Sequence, residues 1–217
     1  MIECYAFRMV PPFAQGLVRD LRVRWALEEA ALPYRIVHVD IDDGGDAMPR
    51  STYREVQPFG QIPALRDGEL RLFESGAIVL YLAERCERLL PRDAAGRARV
   101  TQWMFAAIDT MENPIQELAG IDLFHADEAW AQARRPAVVD AVRRRLAELA
   151  AALGGREHLA GAFSAADVLM ATVLRILRHT DLVAEQPVLT RYLERCVRRP
   201  AFTKALADQM GDFTQAA

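Results

Sequence analysis

The sequence predicts an α/β segment of βαβ-ββα order followed by an all-α segment. Three observations predict it. Short apolar, β-branched runs alternate with helical patterns over the first third of the chain; Asp67-Gly68 separates two apolar runs; and no strand pattern follows Pro91. Ile2–Phe7 reads as a strand and Arg19–Ala31 as a helix, with Leu21, Val23, Trp25, Leu27 and Ala30 at its apolar positions. Tyr34–Val39 is the next strand. Strand, helix, strand requires a parallel pair, because a hairpin cannot join parallel strands.

The polar stretch Asp40–Pro49, with two Gly and four Asp, reads as a loop, and Ser51–Val56 as a short helix. Ile62–Arg66 and Glu69–Phe73 form a hairpin across Asp67-Gly68, both turn positions being expected at positive φ. Ser75–Arg88 is a helix presenting Ile78, Val79, Tyr81 and Leu82. Pro91 then interrupts helix and sheet alike, which puts a linker at 89–93 between domains 1–88 and 94–217. The remainder reads as helices: Ala94–Leu118, bent near Asn113-Pro114; Ala129–Leu153, closed by Gly154-Gly155; the nearly all-apolar Ser164–Thr180; Pro187–Val197; and Ala201–Met210.

Composition excludes several classes. Apolar residues make up 52% and charged residues 26% of the 217, as in ordinary globular chains. The net charge is −3 with both signs interspersed, so nucleic acid is not the expected partner. Ala165–Leu177 is interrupted by Asp167 and Arg175, and neither a membrane span nor a secretory leader is expected. The three cysteines, Cys4, Cys86 and Cys196, are far apart, which argues against a disulfide framework and for a reducing cytoplasm. His38, His125, His158 and His179 lack ligand spacing, so no metal is expected.

Two motifs carry chemistry. In Gln61-Ile62-Pro63-Ala64-Leu65 the proline either marks an edge strand or follows a cis bond, which would turn the Ile62 backbone toward an extended peptide ligand. In Glu74-Ser75-Gly76 the serine is either a plain N-cap beside a solvated acid or part of an anion site with a carboxylate beside it. A helix start with an adjacent carboxylate suits the carboxylate and ammonium of an amino-acid head group. Ser164-Ala-Ala-Asp167 reads as a capping box, a folding signal.

These motifs, in this order, resemble the cytosolic glutathione transferase family over essentially the whole chain. The matching stretches are Arg22 to Tyr34, Pro58 to Leu65, Phe73 to Leu82, Trp103 to Glu112 and Gly161 to Asp167. The resemblance implies a thioredoxin-like domain joined to a helical domain, usually as a homodimer, with glutathione as co-substrate. It implies that the Ile62 backbone before Pro63 holds the cysteinyl unit, that Glu74 and Ser75 hold the γ-glutamyl group, and that Gln61 lies near the tripeptide. Arg50 and Arg54 are both available for its glycine carboxylate.

The family's activating hydroxyl or thiol has no counterpart. Its positions fall on Leu17, Val18 and Arg19. Arg19 is either a solvated first-turn residue or a cation assisting the helix start, and Tyr5 is either a strand tyrosine or a displaced donor. Cys4 lies too early to act as the thiol. Met104, Ile108 and Met111 share one face of a helix, as an electrophile pocket or as interhelical core. The expected activity is conjugation of glutathione thiolate to a small apolar electrophile. The alternatives are a non-catalytic glutathione- or partner-binding module, or a glutathione-dependent reductase or peroxidase.

Overall fold

The computed structural model describes residues 1–40 and 47–215. Most of the Asp40–Pro49 loop expected from sequence therefore lies outside the described residues. By their contacts the residues form two compact units, Met1–Leu90 with Arg199–Ala217, and Pro91–Arg198.

The first unit is a four-stranded sheet of β1 (Ile2–Phe7), β2 (Tyr34–Val39), β3 (Ala64–Asp67) and β4 (Leu70–Phe73), in the order β2-β1-β3-β4. β1 and β2 are parallel, and β3 runs antiparallel to both β1 and β4. Helices α1 (Asp20–Ala30), α2 (Arg50–Tyr53) and α3 (Ser75–Ala83) connect the strands. This is the βαβ-ββα order read from the sequence. α1 ends because Ala31 takes the left-handed conformation (φ 53) with its N–H on the Leu27 and Glu28 carbonyls. β3 begins at Ala64, two residues later than expected, because Pro63 cannot donate to a ladder.

The hairpin turn is Gly68-Glu69, one residue beyond the expected Asp67-Gly68. Asp67 is the last rung, opposite Leu70, and Tyr81 Oη (2.8 Å) and Arg85 (2.6 Å) hold its carboxylate. Of the two turn residues only Gly68 has positive φ (60).

The C-terminal helix α9 (Pro200–Gln215) belongs by its contacts to this first unit. Here the contact division differs from one drawn at the end of the strand-bearing segment. Trp25 meets Phe202 edge-to-face at 4.8 Å, and Arg199 grips Glu29 with two bonds (2.6 and 2.8 Å). Helix periodicity alone cannot say which neighbour an amphipathic helix covers.

The second unit comprises α4 (Ala94–Phe105), α5 (Glu112–Phe124), α6 (Ala129–Leu153), α7 (Ala165–Arg175) and α8 (Pro187–Val197). The expected single helix over 94–118 is interrupted by a π-helical turn at Ala106–Met111 rather than bent at Asn113-Pro114. The physical reason is Pro114. Its ring conflicts with the carbonyl four residues back, which falls in the widened turn, and its missing N–H falls in the first turn of α5.

α7 is buried along almost its whole length. Its capping box is present, and Asp167 does more than cap. Its carboxylate accepts from Leu159 N (3.0 Å), Ser164 N (2.9 Å), Ser164 Oγ (3.1 Å) and Tyr192 Oη (2.9 Å). The group therefore ties α7 to α8 and to the loop before α7. Among the described residues no helix is long and apolar enough to cross a membrane.

We expect Ser164→Ala to cost about 1 kcal/mol, a typical cap loss. Asp167→Ala strands several buried donors at once and should cost about 3 kcal/mol or more. Urea unfolding of the two variants measures the difference; equal losses would reduce Asp167 to an ordinary cap partner.

Candidate functional site

The antiparallel register of β3 and β4 positions the site. Ala64 pairs with Phe73 and Leu65 with Leu72. Ala64–Phe73 is the last rung of this ladder, so Pro63 and Glu74 leave the sheet at the same end of the hairpin. The Ile62–Pro63 bond is cis, the second of the two sequence readings, and β3 is an inner strand rather than an edge. Ile62 is buried with Tyr5, Val39, Tyr53 and Ala64, while Gln61 is exposed and its carbonyl accepts from Tyr53 Oη at 2.8 Å.

The start of α3 is built for an anion. Glu74 takes φ 68 and ψ 114, a conformation that a residue with a Cβ rarely adopts, so the local backbone is strained. Its side chain is exposed and makes no cap bond, which leaves the first-turn N–H groups of α3 open. Ser75 is buried, and its Oγ accepts from Arg22 Nη1 at 3.1 Å. Sequence reading missed Arg22 as a site residue. Its signal is an arginine on the buried face of α1, where only a polar partner could keep it.

A second basic group flanks Gln61. Gly60 has φ +65, and a Cβ there would lie 3.3 Å from Arg54 Cζ and 3.4 Å from Arg50 Nε. Arg54 donates to the Pro58 carbonyl (3.3 Å), whereas the buried Nε of Arg50 has no hydrogen-bond partner. The buried Gln57 leaves Oε1 unpartnered as well.

The segment before α1 is ordered by stacked turns. Pro12–Ala14 is a short 3₁₀ helix, and Leu17 donates its N–H to the Ala14 carbonyl (2.9 Å). Gly16 follows that helix with φ 74. Leu17, one of the three positions on which the family's hydroxyl or thiol would fall, thus has its N–H committed to this turn. Arg19 is half-buried at the N-cap of α1.

The Tyr5 hydroxyl already has a partner. Tyr5 is buried against Tyr53 (5.6 Å between ring centres), and its hydroxyl donates to Glu3 Oε2 at 3.4 Å. Burial and the neighbouring Glu3 carboxylate push its pKa up, the opposite of what an activator needs. Arg35 and Arg66 hold Glu3 as a carboxylate against the cost of burial. Cys4 is fully buried, and burial raises its thiol pKa, so it is inert as expected.

In the second unit, Met104 and Met111 are buried in the helical core and Ile108 is half-buried. Met111 also reaches a small cavity of about 170 Å³ bounded by Trp103, Thr110 and Leu149. The three residues are therefore not equivalent: the π turn between them breaks the spacing that put them on one face. His158, Asp167 and Cys196 gather their donor atoms within 4.8 Å, the one such group among the described residues. The four hydrogen bonds on Asp167 already use its acceptor capacity.

Residues 15–84 match the family model described as "Glutathione S-transferase, N-terminal domain", and residues 116–200 match "Glutathione S-transferase, C-terminal domain". The chain is 30% identical over 209 residues to glutathione S-transferase F14 of Arabidopsis thaliana, spanning 84% of this chain and 76% of that protein. Over 86 residues it is 44% identical to the disulfide-bond oxidoreductase YfcG of Escherichia coli, covering 36% of this chain and 39% of that protein. Among solved structures it is similar to a glutathione transferase family member from Pseudomonas fluorescens pf-5 with two glutathione bound. That match has a TM-score of 0.80 at 26% identity and covers 94% and 92% of the two chains.

Gly60→Ala should destabilise the protein by roughly 1 kcal/mol, since it combines a strained φ with a crowded Cβ. Thermal melting tests this; an unchanged midpoint would show that the arginine pair moves aside freely.

Proposed function

The chain belongs to the glutathione transferase family, and from that premise we propose that it binds glutathione in its first unit and adds the thiolate to a small apolar electrophile. The start of α3 supports this most directly: a strained Glu74, open N–H groups, and a buried serine bonded to a buried arginine. The γ-glutamyl carboxylate would take the α3 N–H groups and Ser75 Oγ, with Arg22 behind the serine, and its ammonium would take Glu74. The cysteinyl unit would pair with the Ile62 backbone beside Pro63 and run past Gln61. Its glycine carboxylate would meet Arg50, whose Nε has an open valence for it.

A free cysteine thiol has a pKa near 8.5, so only a few per cent is thiolate at neutral pH. Lowering it by about 2 units takes on the order of 2.7 kcal/mol, more than a helix start alone supplies. The N–H groups of Val18 and Arg19 would carry the sulfur, with the Arg19 guanidinium adding charge. Arginine cannot serve as a base, so it acts on the thiol pKa and not as proton acceptor. The electrophile would pack against the helical segment Ala94–Leu118, where Ile108 is the half-buried member of its set. A homodimer and a reducing cytoplasm belong to the same reading; light scattering that gave 24.3 kDa would remove the dimer.

The second reading, reduction of a disulfide with glutathione as the thiol, is favoured by two observations. The 86-residue match is to a disulfide-bond oxidoreductase, and the P. fluorescens relative holds two glutathione molecules. Turnover of a chromogenic aryl halide against turnover of a glutathione-linked disulfide separates the two. Calorimetry should show Ser75→Ala weakening glutathione binding by ~1–3 kcal/mol, and unchanged affinity would remove the site. Arg19→Ala should raise the apparent thiol pKa while Tyr5→Phe leaves it alone. A shift confined to Tyr5→Phe, read from the ultraviolet absorbance of bound thiolate against pH, would restore the tyrosine as activator.

A further inference from the structure

This inference rests on the reading that the start of α1 holds the thiolate. Two residues of α9, Gln209 and Asp212, close a circuit with two residues of α1. Gln209 is fully buried, and its Nε2 donates to Asp20 Oδ1 at 2.7 Å and to the Val18 carbonyl at 3.3 Å. The buried Asp20 also accepts from Arg24 Nε at 2.7 Å. Arg24 in turn donates from Nη2 to Asp212 Oδ2 at 2.5 Å, and His38 Nε2 lies 3.3 Å from the same oxygen.

The bond to Val18 has a particular consequence. Its carbonyl belongs to the same planar peptide unit as the Arg19 N–H, and in a trans peptide the two point in opposite directions. Holding the carbonyl toward α9 therefore aims the Arg19 N–H away from α9. Without that hold the helix start rests on two tight-turn bonds, Leu21 N to Val18 O (3.0 Å) and Arg22 N to Arg19 O (3.1 Å). The circuit also manages charge. A bare Asp20 carboxylate in the first turn would oppose a thiolate beside it, whereas Arg24 and the Gln209 amide draw its field inward.

We propose that Gln209 is a positioning residue for the thiolate: through Val18 and Asp20 it orients the Arg19 N–H and offsets the carboxylate beside it. Gln209→Met keeps the side-chain volume and removes the donor. Arg199→Met is the control, since it breaks the α9–α1 contact at the far end of α1, on Glu29. Both variants should lower the melting temperature. Only Gln209→Met should raise the apparent pKa of bound glutathione, by about 0.5 to 1 pH unit, with a three- to tenfold loss of kcat at neutral pH. Its glutathione affinity by calorimetry should stay within about twofold of wild type, because the γ-glutamyl contacts are untouched.

An unchanged thiol pKa in Gln209→Met overturns the proposal, as does an equal rise in Arg199→Met, which would mean general loosening. Should Gln209→Met not fold, Asp212→Asn tests the same circuit from its more exposed end. Removing that carboxylate leaves Arg24 to Asp20 and should lower the thiol pKa, and no change there overturns the proposal. A wild type that binds no glutathione, or binds it without a thiolate band, overturns the functional reading itself. A wild-type band with no response to Gln209 overturns this inference alone.

Discussion

Ala64 is paired on both sides, to Tyr5 on β1 and to Phe73 on β4, and the geometry of the first unit follows from that double pairing. Strand registers are discrete, because a slip of one residue turns every side chain to the other face. With Ala64 fixed opposite Phe73, Pro63 and Glu74 leave the sheet together at one end of the hairpin. The residues that carry the proposed ligand contacts are thus held by backbone pairing two residues away. Of their side chains, Glu74 is exposed, whereas Ser75 Oγ accepts from Arg22 and Ile62 is buried.

The rest of that unit answers an electrostatic problem. The start of α1 has no hydroxyl or thiol to offer, yet it is surrounded by buried charge: Asp20, Arg22 and Arg24 are all within the core. Each buried charge needs a partner, or its desolvation would dominate. Arg22 finds Ser75, and Asp20 finds Arg24 and Gln209. The partners come from three different helices, so the charges that shape the helix start also cross-link it. α9 packs against α1 through both kinds of contact, Phe202 on Trp25 and Gln209 and Asp212 on Asp20 and Arg24.

The second unit relies on the same logic with a single centre. One carboxylate, Asp167, joins the cap of α7, the loop at Leu159 and the hydroxyl of Tyr192 on α8. Burial pushes its pKa up while the surrounding donors pull it down, and the raised value is the net result. Around this hub the π turn before Pro114 shifts the helical register, which separates Met104 and Met111 in the core from the half-buried Ile108.

Local chemistry was legible in the sequence. The strands Ile2–Phe7 and Tyr34–Val39, the helices Ala129–Leu153 and Pro187–Val197, and the capping box needed only periodicity, propensity and caps, which act within a few residues. The proline was legible for the same reason, a short motif with its own backbone consequence; Ser75, which reads as an N-cap, is instead the first residue of α3 behind an N-cap Glu74 that makes no side-chain cap bond. Other features depended on groups far apart in sequence. Arg22 reads as one more helical arginine until Ser75, 53 residues on, is seen to accept from it. The Glu3 partner of the Tyr5 hydroxyl is visible only in the structure, and Gln209 is an ordinary helical residue until Val18, 191 residues earlier, accepts from it. Sequence specifies which groups are polar, buried or capping; only the tertiary structure decides which of them share a hydrogen bond, because that depends on register and helix packing summed over the whole unit.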